Sequence, residues 1–248
     1  MPSGINPAPQ LSKDGLAGWA LVVVAVAAVL CALALPSSAD TAKRIVIKGA
    51  ESGSHLNVTV RGDRLVVRGL MARRGHSGCR LVRWRVKAVC GLRRANAITI
   101  DMGSSGDMVE INDRLPVPLT VYLGGGSDKF IGNGERDTCF SQGARRNRCI
   151  GRGGNDICIT GNQNSDCVGG RGNDYCRHGK GSDGCWGGPG RDVCIMGPGH
   201  DGCHGGGGRD RLYGGPSSDR LYGGPSHDYC DGQSGWGKSQ GCETGPRR

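Results

Sequence analysis

Aspartates at a constant spacing are the most regular source of chemistry in this sequence. Between residues 169 and 231 an Asp takes the sixth place of every nine-residue unit, and a Cys or Leu follows two places later. If each unit folds alike and stacks on the next, these side chains form columns. Carboxylates about 4.8 Å apart on stacked strands repel by roughly 1 kcal/mol in water, and by several times that where partly buried. Such columns favour a bound cation, and Ca²⁺ accepts roughly six to eight oxygen ligands in flexible geometry.

Glycine-rich turns joining short strands are the elements that could hold these columns. The 248 residues include 47 Gly but are only 36% hydrophobic and 4% aromatic, so we expect no core of large side chains. Periodic Gly is instead typical of a solenoid with many tight turns. The sequence predicts an all-β chain with a basic β-rich segment at 40–122, a repeat roll at 123–231 and a C-terminal cap or tail at 232–248.

The basic segment contains alternating apolar and polar residues typical of strands. We predict a hairpin over 56–68 that turns at 61–64, and further strands at 97–101, 108–111 and 119–122. Residues 40–123 carry 15 Lys and Arg against 7 Asp and Glu, so the segment holds most of the chain's net charge of +10.

An uncharged run of 17 residues, Trp19 to Leu35, lies near the N-terminus and is followed by small residues. It predicts a signal peptide over 1–39 that is cleaved before Asp40, and hence a secreted, extracellular protein. The alternative is an uncleaved membrane anchor at the cell surface, because the run is only slightly shorter than a spanning helix.

The repeats, such as GGRGNDYCR followed by HGKGSDGCW, resemble the hemolysin-type or RTX calcium-binding nonapeptide, G-G-x-G-x-D-x-U-x with U a large apolar residue. The resemblance covers residues 123–231 and is most specific over 169–231. It implies a right-handed parallel β-roll in which two repeats make one 18-residue turn. Calcium would then lie between turns on Asp carboxylates and backbone carbonyls. The implied ligands are Asp128, Asp137, Asp156, Asp174, Asp183, Asp192, Asp201, Asp210, Asp219 and Asp228.

Several units depart from this pattern and leave a metal-free roll as an alternative, in which neighbouring cations neutralise the acids. The place before Asp holds a cation in five units, at Arg136, Arg191, Arg209, His200 and His227. The fourth-place Gly is replaced at Glu135, Ser217 and Ser226.

The largest departure from the family pattern is that cysteine occupies the apolar U position of many units, where Leu is usual. The cysteines at this place are Cys139, Cys149, Cys158, Cys167, Cys176, Cys185, Cys194, Cys203 and Cys230, with Cys79, Cys90 and Cys242 outside it. Stacked strands bring Cα atoms within disulfide range. One pairing that uses every mature Cys is 79–90, 139–158, 149–167, 176–194, 185–203 and 230–242. Pairing across the roll, as in 149–158, is the other scheme. Either one predicts a roll whose stability depends less on calcium than that of its relatives, and the nine-residue spacing does not suit a compact zinc site.

These observations favour a secreted calcium-binding β-roll with a structural, adhesion or surface-interaction role. The sequence contains neither H-E-x-x-H nor G-x-S-x-G and scatters its six His, so we predict no enzyme. Two alternatives stay open: a disulfide-stapled solenoid that binds a polyanion through residues 61–94, and a non-catalytic remnant of an RTX exoenzyme. Sparse aromatic residues predict no specific nucleic-acid partner, and a membrane is a partner only if the N-terminal segment is uncleaved.

Overall fold

The computed structural model describes residues 43–69, 71–72, 77–82, 87–143, 145–234 and 237–243. This part of the chain contains strands and turns, and no helix in it is long and apolar enough to cross a membrane. The signal-peptide prediction for 1–39 lies outside the described residues. The strands are β1 (Lys43–Lys48), β2 (His55–Arg61), β3 (Arg64–Arg68), β4 (Cys79–Val82), β5 (Lys87–Gly91), β6 (Ala95–Asp101), β7 (Met108–Ile111), β8 (Leu119–Tyr122), β9 (Lys129–Ile131), β10 (Asp137–Ser141), β11 (Asn147–Gly153), β12 (Ile157–Thr160), β13 (Ser165–Arg171), β14 (Tyr175–Arg177), β15 (Gly184–Pro189), β16 (Val193–Ile195), β17 (Gly202–Gly207), β18 (Arg211–Tyr213), β19 (Arg220–Tyr222), β20 (Tyr229–Asp231) and β21 (Lys238–Gln240).

Two sheets form the walls of a parallel β-roll. From β6 onward successive strands alternate between a nine-stranded sheet, ordered β1-β6-β8-β10-β12-β14-β16-β18-β20, and a twelve-stranded sheet, ordered β21-β19-β17-β15-β13-β11-β9-β7-β2-β3-β5-β4. Most neighbours are 18 residues apart, as Cys176 and Cys194 are. The offset is 19 at Cys139 and Cys158, because one repeat between them has ten residues. The all-β parallel roll with two repeats per turn is therefore confirmed.

The roll begins before the repeats. β1 pairs in parallel with β6, and β2 pairs in parallel with β7, so the basic segment supplies the first turns of both sheets. The predicted hairpin is present, with Val60 opposite Leu65. Strands β3, β5 and β4 then extend the twelve-stranded sheet in antiparallel fashion.

The residues that fill the interior change from aliphatic side chains to cysteines along the roll. Aliphatic side chains such as Ile45, Ile98 and Val121 fill the first turns, and cysteines occupy the corresponding inward places from Cys139 to Cys203. All of these side chains are at most 5% exposed. The Cα atoms of disulfide partners across this interior are 6.2–6.5 Å apart, within the usual range for a disulfide.

The disulfides connect the two sheets instead of running along the columns. The bridges predicted along the columns, 139–158, 149–167, 176–194 and 185–203, are wrong, and so is the example 149–158 of the alternative scheme. The bridges found are Cys139–Cys149, Cys167–Cys176, Cys185–Cys194 and the predicted Cys79–Cys90 and Cys230–Cys242. Inward side chains of facing sheets point at one another, whereas those of neighbouring parallel strands point the same way. Cys158 and Cys203 stay as buried thiols, so complete pairing is also wrong.

Candidate metal centre

The repeated acids form two columns, one preceding the strands of each sheet. The first ladder, before the strands of the nine-stranded sheet, consists of Asp137, Asp156, Asp174, Asp192, Asp210 and Asp228. The second ladder, before the strands of the twelve-stranded sheet, consists of Asp107, Asp128, Asn147, Ser165, Asp183, Asp201 and Asp219. Every side chain in both ladders is buried. All ten predicted ligands thus lie in the ladders, six in the first and four in the second.

One carboxylate oxygen of these aspartates is used by the fold. The backbone N–H of Asp174 donates to Oδ1 of Asp192 at 2.8 Å, and the same bond recurs from turn to turn. The first ladder ends where Asp228 N donates to Oε2 of Glu243 at 2.6 Å. Each column is therefore tied together by side-chain-to-backbone bonds across successive turns.

The other oxygen, Oδ2, is buried without a hydrogen-bond partner in most of these aspartates. Those in which Oδ2 has no partner are Asp107, Asp128, Asp156, Asp174, Asp183, Asp192, Asp201, Asp210 and Asp219. Asp137 differs, because its Oδ2 accepts a bond from Asn133 N at 2.9 Å. A buried carboxylate oxygen without a partner is costly. Such a row of oxygens is stabilised by bound cations or, failing them, by protons.

Burial raises the pKa of these carboxyls. Together with smaller contributions from neighbouring carboxylates in the column, it brings the pKa of Asp192 to about 7 and that of Asp156 to about 8. Arg136 lowers the pKa of Asp156, but its effect is smaller than that of burial. Arg136 therefore does not offset the burial of Asp156, and a metal ion would compete with protons for this carboxyl near neutral pH.

A glycine opens the space beside each carboxylate of the first ladder. The first residue of each of these units is Gly132, Gly151, Gly169, Gly187, Gly205 or Gly223. A Cβ on any of them would overlap the carboxylate of the Asp five places later, and in most turns also the carbonyl oxygen of a Gly one turn on. At Gly187, for example, the two groups are Oδ2 of Asp192 and the carbonyl O of Gly205. Carboxylate and carbonyl oxygens thus converge there, and this donor set suits Ca²⁺.

In the second ladder most units have a residue with a side chain at their first place. Its units begin with Leu123, Ser141, Thr160, His178, Met196 and, only at the end, Gly214. The imidazole Nδ1 of His178 lies 2.9 Å from Thr160 Oγ1 and 3.8 Å from Asp183 Oδ1. Burial lowers the pKa of His178 to about 4, so the ring is neutral.

The carboxylates of the second ladder are also interrupted. Asn147 replaces Asp and accepts a bond from Asp128 N at 2.7 Å, while Ser165 fills the next turn. The neighbouring Asp166 points outward and pairs with Arg146 at 3.0 Å. The carboxylates of the second ladder are therefore split into two groups, whereas those of the first ladder are continuous.

Sequence reasoning missed Asp107, which extends the second ladder into the basic segment. Its Oδ1 accepts a bond from Ser54 N at 2.6 Å, and burial raises its pKa to about 6. The signal was present, since Asp107 follows a Gly/Ser-rich turn and stands two places before the buried Val109, the arrangement found in each repeat.

A sulfur cluster lies inside the roll. Among the described residues, the one group of three potential metal ligands from His, Cys, Asp and Glu with all donor atoms within 4.8 Å is Cys185, Cys194 and Cys203. Cys185 and Cys194 are bonded to each other. Metal-binding cysteines are thiolates, so this cluster as it stands is a disulfide with an adjacent thiol.

Comparison with protein families matches residues 168–185 and 204–235 to the RTX calcium-binding nonapeptide repeat, in four copies. Neither the curated proteins nor the solved structures include a significant match to the chain. The matched residues contain Asp174, Asp183, Asp210, Asp219 and Asp228, and they lie within the parallel roll described above. Residues 168–185 and 204–235 therefore match the RTX calcium-binding nonapeptide repeat, and the parallel β-roll in which they lie is consistent with that repeat.

Proposed function

We propose that this protein is an extracellular structural or adhesion module whose roll is loaded with Ca²⁺ mainly along the first ladder. The observation that carries this proposal is the uninterrupted column of buried aspartates in which Oδ2 atoms, such as those of Asp174, Asp192 and Asp210, have no hydrogen-bond partner. When bound, Ca²⁺ would supply the positive charge that these oxygens lack. The protein's contribution is to hold carboxylate and carbonyl oxygens together and to keep the place beside them free of a side chain.

The difference between the ladders makes the proposal specific. In the first ladder a Gly faces each carboxylate, whereas in the second His178 faces Asp183 at 3.8 Å. The buried imidazole thus lies beside Asp183, on the side of Oδ1, in a unit that has no Gly at its first place. We therefore place the calcium sites in the first ladder, together with Asp219, whose unit begins with Gly214.

A matched pair of substitutions tests this assignment. Asp192→Asn removes one negative charge from the first ladder, and Asp183→Asn does the same in the second. The fold should tolerate both, because Asn147 already accepts the ladder hydrogen bond in the native chain. We expect isothermal titration calorimetry to show fewer bound calcium ions for Asp192→Asn and an unchanged number for Asp183→Asn. Equal losses in the two variants, or none in either, would refute the assignment.

The extracellular location is supported by two features. Five disulfides join the described residues, and disulfides persist in oxidising compartments. The uncharged run at 19–35 has the composition of a signal peptide. N-terminal sequencing of protein recovered from the medium should find Asp40 first, and an intact Met1 on membranes would instead indicate the anchor.

A polyanion-binding surface in residues 61–94 is a second candidate function. Arg64, Arg68 and Arg80 are exposed on β3 and β4, and Arg64 and Arg80 line a groove together with Val89 and Gly91 of β5, the strand between them. Arg93 contributes less, because it pairs with Asp63 at 2.6 Å. Arg73, Arg74, Arg83 and Arg85 lie outside the described residues. Substituting Arg64, Arg68 and Arg80 together by Gln should reduce retention on immobilised heparin, and unchanged retention would remove this candidate.

We propose no catalytic activity. RTX repeats are in general non-catalytic, and the two buried groups that resemble catalytic partners, His178 and Asp183, are enclosed inside the roll without access for a substrate. A hydrolytic activity abolished by His178→Gln would overturn this conclusion.

A further inference from the structure

A groove lined by cationic and tyrosine side chains lies on the outside of the roll in its later turns. Its volume is about 400 Å³, and its lining residues are Arg191, Arg209, Asp210, Arg211, Tyr213, His227 and Tyr229. The three arginines and His227 are exposed, while the two tyrosines are half-buried. Of this lining only Asp210 is acidic, and it is turned into the buried first ladder.

The cations of this groove are not needed by the fold. In earlier turns the place before the ladder Asp holds asparagines that bridge the turns: Asn155 Oδ1 accepts from Asn173 N at 2.8 Å, and Asn173 Oδ1 accepts from Arg191 N at 2.8 Å. From Arg191 onward every second unit, one in each turn of the first ladder, places Arg191, Arg209 and His227 there instead. On this side of the roll, the later turns therefore have a column of cationic side chains where the earlier turns have asparagines that bridge the turns.

These arginines also have no carboxylate partner. Among the described residues, none lies within ion-pair distance of the guanidinium groups of Arg191, Arg209 or Arg211, whereas Arg146 and Arg152 elsewhere on the roll are paired with Asp166 and Glu110. Arg209 and Arg211 lie two residues apart in the same unit, so the groove collects positive charge both along and across the roll. Guanidinium groups in this state are free to bind carboxylates, sulfates or phosphates with two parallel hydrogen bonds.

The tyrosines indicate what carries those anionic groups. Tyr213 and Tyr229 line the same groove with ring centroids 5.7 Å apart and planes tilted by 51°, so they do not stack face to face. Their amphipathic rings provide apolar surface beside a hydroxyl, which suits the face of a sugar ring. Successive turns repeat about every 4.8 Å, close to the length of one pyranose residue in an extended polysaccharide. A nucleic acid would call for a run of aromatic rings on which bases stack, and only this one contacting pair is present in the groove.

We propose that this groove binds an acidic polysaccharide that runs along the roll, its sulfate or carboxylate groups on Arg191, Arg209 and Arg211 and a sugar ring beside Tyr213. The site is separate from the basic face of β3–β5 and goes beyond calcium binding. An acidic polysaccharide would then be the ligand for the proposed adhesion role.

The test compares two triple variants of the full chain in the same calcium-containing buffer. Arg191→Gln, Arg209→Gln and Arg211→Gln together remove three charges from the groove. The control removes three charges from exposed arginines elsewhere, by Arg148→Gln, Arg171→Gln and Arg220→Gln. Binding of chondroitin sulfate, of hyaluronate and of a single-stranded oligodeoxynucleotide of equal charge is measured by biolayer interferometry. Thermal unfolding in calcium establishes that both variants are folded.

We expect the groove variant to lose about tenfold or more in affinity for chondroitin sulfate and the control to lose less than about threefold. Hyaluronate, which carries carboxylates but no sulfates, shows which anionic group suffices. A third variant, Tyr213→Ser, keeps the charge and should weaken polysaccharide binding a few-fold through lost ring contact alone. Equal losses in the two triple variants, no polysaccharide binding by the native chain, tighter binding of the oligonucleotide, or full affinity in Tyr213→Ser would each overturn the proposal. These outcomes are independent of the calcium assignment, which is decided by the number of bound ions.

Discussion

Replacing Gly187 with Ala adds one methyl group at the centre of a proposed calcium site. The new Cβ would overlap Oδ2 of Asp192 and approach the carbonyl oxygen of Gly205. The backbone at Gly187 does not adopt a positive φ, so Ala has no conformational penalty of its own there. Gly202 offers a matched control, because a Cβ at that position would meet nothing within 4 Å.

The size of the destabilisation by Gly187→Ala depends on which neighbouring groups have to move. The neighbours of the added methyl group are a buried carboxylate and backbone, neither of which can yield easily, so overpacking costs about 1–3 kcal/mol. Moving Asp192 also weakens the bond that its Oδ1 accepts from Asp174 N at 2.8 Å, a contribution of about 1–1.5 kcal/mol. We expect Gly187→Ala to lower the free energy of unfolding by about 2–4 kcal/mol and the thermal midpoint by about 5–15 °C. Gly202→Ala should stay within about 0.5 kcal/mol of the native chain.

Comparing stability in calcium and in chelator distinguishes the loss of an ion site from ordinary overpacking. A ligand present at 100 times its dissociation constant stabilises the folded state by about 2.7 kcal/mol per site. Gly187→Ala should therefore lose more stability in calcium than in chelator, and calorimetry should count fewer bound ions. If denaturant unfolding shows the same loss in both conditions and the number of ions is unchanged, the convergence of Asp192 and Gly205 oxygens is not a calcium site. If Gly202→Ala is equally destabilised, the steric reasoning itself fails.

Three further predictions concern pH, thiols and backbone strain. Burial raises the pKa of most ladder aspartates from 3.8 to values of about 6 to 8, so the folded chain binds more protons than the unfolded chain in this range. In the presence of a chelator, the free energy of unfolding measured in urea should therefore fall as the pH rises from 4 to 8, and calcium should reverse this trend. A calcium-free protein that becomes more stable towards pH 8 would contradict the prediction. Iodoacetamide labelling after unfolding without reductant should modify Cys158 and Cys203, which are the thiols of the described residues, and labelling of a bridged cysteine in their place would show a different pairing. Ser217 and Ser226 have φ of 115° and 107°, so each change to Gly should raise the free energy of unfolding by about 0.5–1 kcal/mol, with exposed Ser218→Gly as the neutral control in the same thermal assay.

The nine-residue period was sufficient to predict a solenoid with Asp and Cys in register, and the resemblance to the RTX nonapeptide specified the roll. Asp192 and Cys194 occupy the buried places that the repeat predicts for them. The hairpin at 56–68 was equally readable from its alternation. The early start of the roll was missed, because only the Gly/Ser-rich turn, Asp107 and the apolar Val109 mark this turn as similar to a repeat.

The inequality of the two ladders was overlooked for a geometric reason. Successive repeats precede different sheets, so a linear reading mixes the two columns and makes all ten aspartates look alike. Reading alternate repeats separates Gly169 and Gly187, which have no side chain beside their carboxylates, from His178, which lies 3.8 Å from Asp183. Disulfide pairing was unpredictable for a related reason: the period fixes which cysteines stack, but not how far apart the two sheets lie.

Calcium and disulfides stabilise the repeat region in different ways. Ca²⁺ in the first ladder would hold successive turns together along the roll, where buried carboxylates otherwise repel. The bridges Cys139–Cys149, Cys167–Cys176 and Cys185–Cys194 hold the two sheets together across it. Each closes a loop of only 9 or 10 residues, and such loops restrict the unfolded chain by about 2.5–3 kcal/mol apiece. A narrow, glycine-rich roll buries little apolar surface where Cys replaces Leu, so covalent links compensate for the hydrophobic contacts that those turns lack.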